Sequence, residues 1–138
     1  MTFEELGLKS EVLKSLKELG FTAPTPIQEK AIPYLMQEDC DFVGLAQTGT
    51  GKTAAFGLPL INNIDTKARL PQGLIICPTR ELCLQITKDL ETYSKFLDCN
   101  IVSVYGGTDI RKQITDVKKG VAIIVATPGR LMDLINRK

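Results

Sequence analysis

The sequence predicts an α/β fold with a mostly parallel sheet, and three features predict it. Short apolar runs rich in Ile, Val and Leu alternate with stretches whose apolar residues recur every three or four positions. Most of these runs end in a small polar or glycine-containing cluster, the punctuation of a strand handing over to a helix. The 138 residues suffice for one domain with a real core and are too few for two.

Taken in order, Ser10 is placed to cap a helix reaching about Leu19, with Val12, Leu13, Leu16 and Leu19 on one face and Gly20 as its stop. Thr25-Pro26 marks a second helix start, a cap followed by proline at the first helical position, with Ile27, Ala31 and Leu35 turned inward. Pro33 is expected to kink or shorten that helix. Phe42–Ala46 reads as the first strand, and the helix after Lys52 is expected to be interrupted or bent near Pro59. Gly73–Cys77 is a continuous apolar run, typical of a strand buried on both faces. The next helix carries Leu82, Ile86, Leu90, Tyr93 and Leu97 at spacings of four, four, three and four. Ile101–Tyr105 is a strand ended by Gly106-Gly107; Thr108 or Asp109 then caps a helix with Ile110, Ile114 and Val117 inward and Gly120 behind it. Val121–Ala126 is the fourth strand, and Thr127-Pro128-Gly129-Arg130 opens a last helix.

Composition is that of an ordinary soluble globular chain, 43% hydrophobic and 24% charged, with no low-complexity tract. No apolar run approaches a membrane span and the N-terminus lacks a signal-peptide core, so a cytoplasmic protein is expected. Cys40, Cys77, Cys83 and Cys99 show no CxxC spacing and there is no histidine, so buried or half-buried free thiols are expected rather than zinc ligands or disulfides. The net charge of +1, with seven Lys/Arg against nine Asp/Glu in residues 1–70 and ten against seven in 71–138, is too even to identify a polyanion partner. A nucleic-acid reading has to rest on particular positions.

Four polar clusters fall where strands end, the place where parallel sheets gather ligands. The first, Ala46-Gln47-Thr48-Gly49-Thr50-Gly51-Lys52-Thr53, fits a phosphate-binding loop in which Ala46 stands where the common form has Gly. Its glycines let backbone N–H groups face one concavity, the helix start adds partial positive charge, and Lys52 adds a full one. Thr53 offers a hydroxyl to Mg²⁺, a hard cation suited to oxygen ligands and phosphate. Upstream, Phe21 has the shape to stack on a base and Gln28 the paired donor and acceptor that match an adenine edge. The same residues also fit a hydrophobic staple and a solvated helix position. Pro78-Thr79-Arg80-Glu81 puts Arg80 in a first helical turn, where an anion would relieve its conflict with the macrodipole, or a carboxylate would pair it. Gly106-Gly107 permits either a tight turn or close approach of another backbone. Thr127-Pro128-Gly129-Arg130 repeats the Arg80 arrangement, and together the three clusters suggest a strip tracking a sugar–phosphate chain.

Phe3, Gly20 through Gln28, Ala46–Thr53, Pro78–Leu82, Gly106-Gly107 and Thr127–Arg130 resemble, in order and spacing, the first domain of the DEAD-box RNA helicases, over essentially the whole chain. The resemblance implies a RecA-like, three-layer α/β/α fold, incomplete at its C-terminus, with residues 1–29 as the Q-motif region and 30–138 as a P-loop core. It implies ATP and Mg²⁺ as cofactors and RNA, bound through its backbone, as partner. Phe21 and Gln28 would then hold adenine with Phe3 in support, and Ala46–Thr53 would wrap the phosphates, Lys52 and Thr53 serving the chemistry. Pro78, Thr79, Arg80, Gly106, Gly107, Thr127, Gly129 and Arg130 would lie on the RNA face. Cys83 departs from the family's more usual alanine.

Residues 1–138 contain no Asp-Glu-Ala-Asp or Ser-Ala-Thr sequence and no second RecA-like domain, which in the family belongs to the same parent chain. Phosphoryl transfer rests on positioning and electrostatics, so residues 1–138 alone are expected to bind nucleotide without hydrolysing it. The chain is expected to be a remnant of a longer protein. Two rivals to the resemblance are a different P-loop NTPase and a non-enzymatic nucleotide- or RNA-binding module.

Overall fold

The computed structural model describes every residue except Glu38, Cys40 and Lys138, so the free-thiol expectation for Cys40 lies outside the described residues. The chain forms two compact units, Met1–Asn63 with Thr92–Leu97, and Ile64–Glu91 with Asp98–Lys138. Among the described residues no helix is long and apolar enough to cross a membrane.

The first unit is helical: α1 (Ser10–Glu18), α2 (Pro26–Gln37) and α3 (Lys52–Asn62), preceded by a single turn at Glu4–Leu6. α1 begins one residue earlier than its predicted cap implies. Lys9, in extended conformation, is the N-cap and makes no side-chain cap bond, while the Ser10 hydroxyl donates to the Glu11 carboxylate at 3.0 Å. The Lys9 N–H instead donates to Asn62 Oδ1 at 2.7 Å, so tertiary anchoring to the end of α3 replaces local capping. Val12 and Leu16 are buried as their spacing predicts; Leu19 falls beyond the last turn and is exposed. Gly20 is left-handed at φ +76°, the stop the sequence indicates.

Neither internal proline ends its helix. α2 runs through Pro33 and α3 through Pro59. An interior proline costs about 3 kcal/mol, and fully burying a Leu or Ile returns about 1.5–3 kcal/mol each. Ala31 and Ile32 on α2, and Leu58 and Ile61 on α3, are all buried, which is sufficient to carry both helices past the break. Phe42–Ala46 is not a strand: it is an irregular segment with Val43 85% and Leu45 90% exposed. A strand exists only through a ladder, and no described residue pairs with this run. Beneath it a cavity of about 370 Å³ is lined by Ile27, Ala31 and Leu35 of α2, Phe42, Gly44, and Lys52, Ala55 and Phe56 of α3.

The second unit carries the sheet. β1 (Gly73–Ile76), α4 (Arg80–Tyr93, its last residues in the first unit), β2 (Ile101–Val104), α5 (Ile110–Lys118), β3 (Ile123–Ala126) and α6 (Pro128–Arg137) follow in the predicted alternation. The strands lie in the order β1-β3-β2, both pairs parallel, with Ile76 opposite Ala126 and Val104 opposite the same residue. Ile123, Val125 and Ala126 of the central strand are fully buried. β1 is not buried on both faces: Leu74 and Ile76 are 53% and 58% exposed. A continuous apolar run permits two covered faces but does not supply the second layer. On α4, Ile86, Leu90 and Tyr93 are buried as their spacing predicts, whereas at the first turn Leu82 is exposed and Cys83 takes the inward position.

Cys77, Cys83 and Cys99 are free, the first two buried. The Cys83 thiol donates to Val125 O at 3.1 Å and Cys77 to Ala126 O at 3.6 Å. Burial, with the neighbouring Cys77 adding to it, pushes the Cys83 thiol up to about 12, so it stays a protonated donor at neutral pH.

Candidate nucleotide and nucleic-acid sites

The glycine-rich segment enters α3 as a phosphate loop should. Gly49 and Gly51 are left-handed at φ +81° and +82°, and Gly51 is the residue immediately before Lys52, the first residue of α3. A site for an anion needs N–H donors presented and carbonyl acceptors turned away. The acceptors here are held by side chains. Thr50 Oγ1 donates to Gln47 O at 2.6 Å, Thr25 Oγ1 to Thr50 O at 2.8 Å, and Gln28 Nε2 to Gly51 O at 3.1 Å. Each such bond is worth about 1 kcal/mol net, and the three fix the loop's backbone before any ligand arrives. Lys52 is exposed and Thr53 half-buried in the first turn of α3, while Ala54 and Ala55 anchor that turn in the core. The donor set suits a phosphate with its magnesium: open glycine backbone, a helix start, one cation and one hydroxyl.

Gln28 is 3% exposed and doubly engaged, since its Oε1 also accepts from Thr25 N at 3.0 Å. It ties the start of α2 to the phosphate loop. A Cβ on Gly51 would collide with Gln28 Nε2 and lie 3.3 Å from Thr25 Oγ1. Gly51 is therefore demanded twice, by its φ and by this close approach. Phe21 is 37% exposed, its ring 6.2 Å from Phe3, which is buried behind it, and 6.2 Å from Tyr93 at an edge-on 64°. Gln47, Thr48 and Gly49 are exposed, and Ala46 is half-buried.

In the second unit the three remaining clusters meet through side chains. The Arg80 guanidinium lies 4.9 Å over the Tyr105 ring. Gly107, left-handed at φ +84°, leaves the place of its absent Cβ 3.6 Å from Arg80 Nη1. Pro78, Thr79 and Arg80 are exposed, and Thr79 Oγ1 accepts from Leu82 N at 3.2 Å, capping α4. Gly106 and Gly129 face open space. Thr127, half-buried, donates its N–H to Val104 O at 2.9 Å, continuing the sheet's bonding into the start of α6. The Arg130 side chain is largely enclosed, 11% exposed. Its Nη1 donates to Gln113 Oε1 at 3.0 Å and its Nη2 to Thr108 O at 2.9 Å.

Sequence reasoning missed three contributors. Tyr93 reads as one more apolar position on α4, and Thr25 as a helix cap alone. Gln113 is buried although polar, its Nε2 donating to Tyr105 O and Thr108 Oγ1, both at 3.1 Å. A glutamine among the charged residues of α5 gives no periodic signal. Only the partner-rich cluster reveals it.

Comparison with known proteins agrees with this fold. Residues 25–138 match the DEAD/DEAH box helicase family. The chain is 50% identical over 137 residues to a DEAD-box ATP-dependent RNA helicase CshA of Bacillus cereus, covering 99% of this chain and 26% of the relative. It is 52% identical over 136 residues to the ATP-dependent RNA helicase CshA of Listeria monocytogenes, again 99% of this chain and 26% of that one. Among solved structures, a DEAD box protein of Methanococcus jannaschii superposes with a TM-score of 0.94 at 39% identity, over 99% of this chain and 37% of that one. Yeast Dbp5 bound to RNA and ADP BeF3 superposes with a TM-score of 0.87 at 31% identity, over 99% and 34%. These neighbours are longer, and the chain spans about a quarter of the curated relatives it matches. By the family match across most of its length, the chain belongs to the DEAD/DEAH box helicase family.

Proposed function

We propose that this chain is the ATP-binding and RNA-binding portion of a cytoplasmic helicase that remodels RNA duplexes with ATP hydrolysis. The observation that carries the reading is the tie from Gln28 to Gly51 O, which joins the base-sensing segment to the phosphate loop. Residues 1–29 serve as the base-sensing region and 30–138 as the phosphate-loop core. Phe21, backed by Phe3, offers a ring face to adenine, and Gln28 reports its presence to the loop. The segment Ala46–Thr53 cradles the phosphates, Lys52 neutralising their charge and Thr53 orienting Mg²⁺. Bound Mg²⁺ supplies Lewis-acid charge stabilisation of the phosphoryl group. Pro78, Thr79, Arg80, Gly106, Gly107, Thr127, Gly129 and Arg130 form the face on which an RNA backbone lies, without base reading. A second RecA-like domain of the parent chain completes the catalytic set.

Residues 1–138 are expected to bind a fluorescent ATP analogue weakly and to turn ATP over negligibly, with or without RNA. A hydrogen bond to a charged group is worth about 1.5–3 kcal/mol, so Lys52→Ala should weaken that binding about ten- to a hundredfold. Unchanged affinity in Lys52→Ala, or robust turnover by residues 1–138, would refute the reading.

A further inference from the structure

The guanidinium of Arg130 is surrounded by the protein's own groups. Beyond its bonds to Gln113 Oε1 and Thr108 O, its Nε lies 4.0 Å from Asp133. Gln113 completes the circuit by donating to Tyr105 O and Thr108 Oγ1. The bonds thus bracket Gly106-Gly107 on both sides, from Tyr105 to Thr108. A turn with two glycines has high backbone entropy to lose, and these four bonds hold it in one shape. The turn in turn holds Arg80: its guanidinium packs over the Tyr105 ring, with Gly107 close beside it. Arg80 is exposed and has no carboxylate among the described ion pairs. Arg130, by contrast, has Asp133 beside it and Asp109 near enough for its charge to act on that carboxyl. A carboxylate 4.0 Å from the guanidinium competes with a phosphate for it.

Resting on the RNA-face reading above, which already sets Arg80 against the phosphate chain, we infer that Arg130 and Gln113 are positioning residues that clamp the Gly106-Gly107 turn rather than ligands of the RNA. The division of labour follows from chemistry. A planar fork with two terminal nitrogens satisfied by a carboxamide and a carbonyl is a strut; a cation stacked on an aromatic face with its outer side in water is a contact.

The test is binding of a fluorescein-labelled oligouridylate to the full chain, followed by anisotropy across a salt series, with amide exchange of residues 106–109 measured in parallel. Arg80→Ala should lower the salt slope by about 0.7, one phosphate contact on a single strand. Arg130→Ala and Gln113→Ala should each weaken binding on the order of fivefold with the slope unchanged, and the double variant should be no weaker than either. Arg130→Lys, which keeps the charge but not the fork, should behave as Arg130→Ala. Both clamp variants should speed exchange at 106–109 and leave ATP-analogue binding intact, which separates a clamp from general unfolding. A slope lowered by Arg130→Ala as by Arg80→Ala, or wild-type affinity in Arg130→Lys, would overturn the inference and make Arg130 the contact. Absence of salt-dependent binding by the unsubstituted chain would overturn the RNA-face reading itself, whereas unchanged exchange at 106–109 would overturn the clamp alone.

Discussion

Gly51 occupies the position where the nucleotide reading is most exposed to a single substitution. Its left-handed φ disfavours any side chain, and Gln28 Nε2 fills the space a Cβ would take. Gly51→Ala should therefore cost about 1–3 kcal/mol through backbone strain, and should also push Gln28 off its bond to the Gly51 carbonyl. The expected result is a lowered urea midpoint together with at least a tenfold loss of ATP-analogue affinity, larger than for Gly49→Ala, whose absent Cβ has nothing within 4 Å. Equal effects at the two glycines would show that the collision with Gln28 has no consequence. The role of glycine here was legible in the sequence, because the spacing before Lys52 asks for it. The collision was not, since nothing local announces that a side chain from α2 reaches that carbonyl. Gln113 and Tyr93 were hidden for the same reason: their partners lie in other elements, and neither departs from what an ordinary helix tolerates.

At the scale of elements, helices announced themselves more reliably than strands. Amphipathic spacing located α1, α4 and α5, with glycine stops behind α1 and α5, because a helix makes its own bonds. Phe42–Ala46 has the composition of a strand and no ladder, and Gly73–Cys77 has the composition of a doubly covered strand with one face open. Strand character depends on neighbours that the run itself does not encode. The start of α5 is settled by Asp109, whose side chain accepts from Arg111 N at 2.9 Å. The bonds from the Arg111 side chain, then from its backbone, hold the Asp109 carboxyl down at about 2, against an ordinary 3.8. A depressed carboxyl stabilises the fold above its unfolded value and loses that contribution as pH falls through its folded value. Asp109→Ala should thus lower the denaturation midpoint at pH 7, and the gap from the unsubstituted chain should close between about pH 4 and pH 2. A gap of constant size down to pH 2 would mean that the cap does not act through its charge.

For the whole molecule, family and fold class were readable from ordered motifs, and the match over residues 25–138 bears them out. The rival reading as an unrelated P-loop NTPase is not favoured by a chain half identical to RNA helicases along nearly its full length. What motif order left out is the physical link between motifs: Thr25 and Gln28 behind the phosphate loop, and Gln113 with Arg130 behind the diglycine turn. Both links have one design, a buried amide satisfying backbone carbonyls of a glycine-rich turn. In each case pre-existing bonds remove backbone freedom that a ligand would otherwise have to quench. Under the proposed function, the Gln28 amide makes phosphate-loop binding depend on the base. Competition of ATP against GTP for the chain, in the unsubstituted form and in Gln28→Ala, tests it most directly. The account predicts a preference for ATP of about tenfold or more, the size of one well-placed hydrogen bond, that disappears in Gln28→Ala. Equal affinity for the two nucleotides, or a preference that survives the substitution, would contradict it.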